Sequence, residues 1–154
     1  MQLYQVLLFC HLSAVVVWVG GMALMQLAVR PSAATLLEPA QRVAFMAATL
    51  GRFFSIAAFV IVILLISGGW MMQVMAEVQQ LPVFVHVMAG LGLVMTAVFG
   101  HLRFAIFPRL RRAVAAQDWP LGGQILASIR PLVTLNLVLG VVTICVATIG
   151  RTLL

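Results

Sequence analysis

Apolar residues run without a charged interruption through four stretches, 1–29, 53–76, 78–102 and 131–150, and every Asp, Glu and Arg falls between or after them. Each stretch has at least the roughly 20 residues that a helix rising about 1.5 Å per residue needs to cross a hydrocarbon layer about 30 Å thick. The apolarity is continuous and does not alternate, which excludes barrel strands. Lipid offers backbone N–H and C=O groups no partner, so each stretch must satisfy them internally as a helix. The pattern therefore predicts an all-α integral membrane protein: an up-down-up-down four-helix bundle in a single domain, 1–154, with spans at about 3–29, 53–76, 82–107 and 131–150.

Prolines and caps punctuate this pattern. Arg30-Pro31 is expected to end the first helix, because proline and the residue before it resist continuation. A short amphipathic helix is expected from Pro39, with Gln41 and Arg42 on its wet side and Val43, Phe45 and Met46 toward lipid. Pro82 suits the first turn of the third helix, which should stop near Phe107-Pro108. Asp118-Trp119-Pro120 reads as a cap and first turn, with a kinked start to the last span at Pro131. The glycines inside the spans (Gly20, Gly21, Gly68, Gly69, Gly90, Gly92, Gly100 and Gly140) are expected to let helices approach closely.

With 64% hydrophobic and 8% charged residues, the composition leaves no room for a soluble domain beside the bundle. The net charge of +6 does not signal a nucleic-acid partner here, because what matters is which loop each arginine occupies. Arg30, Arg42 and Arg52 lie in one long loop and Arg103, Arg109, Arg111, Arg112 and Arg130 in the other, against Arg151 alone on the opposite side. The positive-inside rule then makes both long loops cytoplasmic and both termini periplasmic, in a bacterial cytoplasmic (inner) membrane. Tyr4 and Trp70 are expected at the outer interface and Trp119 at the inner one. Arg109, Arg111 and Arg112 should anchor the topology and touch anionic lipid. The first stretch lacks a basic flank and a cleavage site, so it reads as a retained helix. Bulky Phe9 before Cys10 argues against lipidation, and Cys10 and Cys145 alone make no disulfide framework.

Ionisable groups inside a membrane are expensive enough to suggest function, and three histidines qualify. His11 and His86 lie roughly 10 Å and 6 Å below the periplasmic boundary on two parallel helices, nearly one level. His11 shares a face with Val15, Trp18, Met22 and Met25, and His86 one with Gly90, Leu93 and Ala97. Each helix begins near a histidine and ends at a proline beside arginine, a weak repeat that would aim both imidazoles at the bundle centre. Met71, Met72 and Met75 concentrate sulfur near the same level, with Met88 and Cys145 close by. Thioether and imidazole donors suit Cu(I), whereas Mg, Ca and Mn want oxygen ligands scarce here. The plainer reading is that each histidine bonds a carbonyl, Ser or Thr, and that the methionines fill gaps. His101, far from this level, is expected to be buried and hydrogen-bonded, with Asn136 in reach.

His11 with Trp18-Val19-Gly20-Gly21, then Arg30-Pro31, His86 opening the third span, and Pro108-Arg109-Leu110-Arg111-Arg112 at its exit together resemble the CopD family of bacterial copper resistance membrane proteins. The resemblance covers essentially the whole chain as a minimal four-helix version. It implies a role in copper uptake or tolerance and supports His11 and His86 as the residues to watch. A more distant similarity, to the HemJ-like membrane proteins, pairs a first-span His and Trp with haem. This chain has no lysine, so the histidine-plus-lysine pattern of that group is not matched.

Three functions follow as expectations. In the first, a copper ion is held or passed near the periplasmic side by His11, His86, Met71, Met72 and Met75. In the second, haem b takes His11 and His86 as axial ligands. In the third, the chain is a non-catalytic accessory subunit or scaffold. No hydrolase triad, Walker loop or carboxylate pair is present, so no catalytic residue is assigned. The expected partners are the lipid bilayer, a homo-oligomer or larger membrane complex, and a periplasmic copper protein.

Overall fold

A computed structural model describes residues 2–78 and 80–150. They form four helices, α1 (Gln2–Leu36), α2 (Pro39–Ala76), α3 (Val83–Ala115) and α4 (Trp119–Gly150), each long and apolar enough to span a membrane. Short turns reverse the chain between them, giving an up-down-up-down membrane bundle. Packing is most extensive between α1 and α2 and between α3 and α4, and α4 also touches α1 and α2. Arg151 lies outside the described residues.

The helices outrun the apolar stretches, and local chemistry explains each overrun. Arg30-Pro31 does not end α1, because Met25–Val29 forms a π-helical turn and the Arg30 N–H bonds the Met25 carbonyl. The widened turn accommodates the proline ring and its missing donor, so the helix continues to Leu36. The same device recurs in α3, where π-helical His101–Ile106 precedes Phe107-Pro108, the Phe107 N–H bonds the Leu102 carbonyl, and the helix runs on to Ala115. The amphipathic segment from Pro39 is not separate either. A reciprocal cap between Glu38 and Gln41 starts α2, which enters the span unbroken.

At the head of α4 the Asp118 carboxylate accepts the Leu121 N–H at 3.0 Å, as the cap reading expects, and the helix then passes through Pro131 to Gly150. Asp118→Ala should lower bundle stability by about 1 kcal/mol, read by reversible denaturation in mixed micelles.

The core is aromatic at its centre. Phe54, 1% exposed, meets the rings of Phe99 at 5.9 Å and Phe107 at 5.3 Å edge-on, and Trp18 meets Phe99 at 6.3 Å. Helix approach depends on fewer glycines than the sequence suggests. A Cβ on Gly140 would lie 2.9 Å from Val19, whereas Gly20, Gly69, Gly90, Gly92 and Gly100 face open space.

Burial also reveals an internal repeat. Trp18, Met22, Met25 and Ala33 of α1 are buried at the same spacing as Met95, Phe99, Leu102 and Leu110 of α3. Val43, Leu50, Phe54, Ala57 and Ile61 of α2 match Gly122, Ile129, Val133, Asn136 and Gly140 of α4 in the same way. Two helical hairpins thus face each other with equivalent surfaces inward.

Candidate functional site

His11 stands on the inward stripe of α1, one turn before buried Ala14 and two before Trp18. Its Nδ1 lies 3.0 Å from the hydroxyl of Ser67 on α2. Ser67 is 2% exposed, and its hydroxyl donates to the Ile63 carbonyl at 2.6 Å. A hydroxyl has one proton, so with that proton committed its oxygen can only accept from the ring. In the tautomer protonated at Nδ1, the ring donates to Ser67 and keeps a lone pair on Nε2. Gly68 completes the seat: a Cβ there would lie 3.1 Å from His11 Cε1, so a side chain would push the ring back by a few tenths of an ångström. Ser67 and Gly68 were not singled out by sequence as partners of His11. The available signal was a hydroxyl residue next to glycines in an otherwise apolar span.

Met71, Met72 and Met75 follow Ser67 along α2 toward its end at Ala76, all half-buried. They lie one to two turns beyond the histidine's anchor, on the side of the membrane where both termini emerge.

His86 is placed differently. It is exposed, and its Nδ1 lies 3.3 Å from the Pro82 carbonyl of its own helix. The face it shares with Gly90, Leu93 and Ala97 is an outward stripe of α3, while Met95, Phe99 and Leu102 point inward. The weak repeat read from the histidines thus has the wrong register. On the register set by burial, His11 corresponds to half-buried Met88, and His86 falls two positions earlier, about 200° around the helix. The two imidazoles do not both aim at the bundle centre, and each has its own hydrogen-bond partner.

His101 is exposed on the same outward stripe, not buried, at the start of the π-helical turn. Asn136, 1% exposed, turns its amide to the Met95 carbonyl at 3.1 Å, and its Oδ1 is buried without a hydrogen-bond partner. Cys10 is half-buried, Cys145 exposed, and both are free thiols. Among the described residues no three His, Cys, Asp or Glu side chains gather as a metal cluster. His11 is an imidazole held beside Ser67, and Met71, Met72 and Met75 lie one to two turns further along α2; imidazole and thioether are donor types that suit a soft ion.

A family model described as Copper resistance protein D matches residues 47–149, from the first half of α2 to the end of α4. The match includes Ser67, Gly68, Met71, Met72, Met75 and His86, while His11 and the rest of α1 precede it. No curated protein and no solved structure matches the chain.

Proposed function

Because the chain belongs to the Copper resistance protein D family, we propose that it holds or passes copper as Cu(I) at the end of the bundle where both termini emerge, with His11 as the principal donor. The observation that carries this reading is the Ser67 hydroxyl 3.0 Å from His11 Nδ1. Histidines that bind metals characteristically commit one ring nitrogen to such a partner, which fixes the tautomer and frees the other nitrogen. Met71, Met72 and Met75 supply the soft thioethers that Cu(I) prefers. His86, exposed in the first turn of α3, is a surface donor through which a periplasmic copper protein would hand over or collect the ion.

The test is metal analysis of the detergent-purified protein loaded with Cu(I) under reducing conditions, together with its visible spectrum. Copper retained near one ion per chain and no Soret band support the reading; a Soret band with a sharp reduced α band would replace it with haem b. An outward His86 weighs against haem, because two axial imidazoles must face one another across the bundle.

The same proposal puts both termini in the periplasm and the arginine-rich loops in the cytoplasm of a bacterial inner membrane. A carboxy-terminal alkaline phosphatase fusion should be active and a green fluorescent protein fusion dark. The reverse pattern would move His11 and His86 to the cytoplasmic side and overturn the periplasmic handover.

A further inference from the structure

At the arginine-rich end, α1, α2 and α4 line an open-mouthed cavity of about 230 Å³ that copper chemistry does not use. Arg30, Arg42 and Arg130 line it, and most of the remaining wall is apolar, including Met46, Leu50 and Val133. The Arg30 guanidinium donates to Gln26 Oε1 at 3.4 Å, and Gln26 Nε2 donates in turn to the Arg130 carbonyl at 3.3 Å. Gln26 thus links the Arg30 guanidinium to the backbone of Arg130. No carboxylate lines the cavity. Glu38 caps α2, Asp118 caps α4, and Glu77 is at the other end of the bundle. Arg30 and Arg42 are half-buried and Arg130 is exposed, so three cations with no carboxylate among them border one opening, an arrangement that favours an anion there.

The internal repeat shows that packing does not require this opening. On the registers set by burial, Arg30 corresponds to Phe107 and Arg130 to Gly51. In that equivalent place the Phe107 ring lies over Gly51, where a Cβ would be only 3.1 Å away, and the space is filled. Where α2 meets α3 the position is closed by an aromatic ring on a glycine; where α1 meets α4 it holds two arginines and stays open.

We propose that the cavity binds the phosphate of an anionic phospholipid, gripped by Arg30, Arg42 and Arg130, with the glycerol and upper acyl carbons against Met46, Leu50 and Val133. Planar guanidinium groups match phosphate oxygens in bidentate fashion, and basic pockets between transmembrane helices are a recognised setting for lipid headgroups. A lipid fits better than a free phosphate because the wall is mainly apolar and because Arg30 directly follows the apolar run of α1, at headgroup depth. The cavity is distinct from the groove lined by exposed Arg109 and Arg112, which carries the Asp118 carboxylate on its own wall as a counter-charge.

Native mass spectrometry of delipidated protein with added phosphatidylglycerol or phosphatidylcholine tests the proposal. Wild-type protein should retain one phosphatidylglycerol at least tenfold more than phosphatidylcholine. The double variant Arg30→Phe with Arg130→Gly, which copies the closed arrangement and keeps the helices packed, should lose that preference. Neutralising Arg109, Arg111 and Arg112 to Gln should leave it unchanged. Millimolar inorganic phosphate should not displace the lipid. Equal retention of the two lipids, full retention by the closed variant, or displacement by phosphate alone would each overturn it.

Discussion

Replacement of His11 by alanine is expected to abolish retained copper, and Ser67→Ala to weaken it by about 10- to 100-fold with His11 still in place. The two variants fail for different reasons. His11→Ala removes the donor itself. Ser67→Ala leaves the imidazole present but takes away the acceptor 3.0 Å from Nδ1, so the ring can rotate or exchange its proton to Nε2, the nitrogen copper needs. His86→Ala should leave equilibrium copper binding nearly unchanged and slow exchange with a periplasmic copper donor, because His86 is exposed and bonds only its own helix. Competition against a chromophoric Cu(I) chelator measures the affinities, and stopped-flow transfer measures the exchange. If His11→Ala and Ser67→Ala both bind copper as tightly as wild type, the copper proposal fails at its principal donor.

The fold was legible because membrane insertion depends on long apolar runs, and these stand out in sequence without any tertiary information. Helix ends were less legible. Arg30-Pro31 and Phe107-Pro108 carry ordinary stop signals, but a π-helical turn before each proline absorbs the missing donor, and no residue pattern announces such a turn. The sequence also reported faces correctly without reporting which face turned inward. His86 was grouped rightly with Gly90, Leu93 and Ala97, yet that stripe faces outward. In a membrane helix the lipid-facing side is as apolar as the packed side, so the amphipathic signal that orients a soluble helix is absent. His11 came out inward-facing because Trp18, Met22 and Met25 pack on its stripe, while its Ser67 contact bridges two helices and needed the three-dimensional structure. The arginine cavity was hidden for the same reason: Arg30, Arg42 and Arg130 come from three helices and read in sequence only as loop charges.

Phe54→Ala should be the most damaging single truncation in the bundle, lowering stability by about 2 kcal/mol or more. In a soluble core Phe→Ala costs about 3–5 kcal/mol, part of it lost transfer from water and part the void left behind. Inside a bilayer the transfer part largely disappears, since lipid tails solvate a phenyl ring as well as a protein core does. The void part remains, and so do the edge-on contacts with Phe99 and Phe107 at 5.9 and 5.3 Å, each worth about 0.5–1.5 kcal/mol. Phe59 on the same helix is 69% exposed, so Phe59→Ala leaves lipid to fill the gap and should change stability by less than about 0.5 kcal/mol. Reversible unfolding in mixed micelles, followed by circular dichroism, distinguishes the two. Equal losses from Phe54→Ala and Phe59→Ala would mean that the aromatic cluster does not organise the bundle. A large loss confined to Phe54 would show that helix–helix packing, and not hydrophobicity as such, holds α2 against α3.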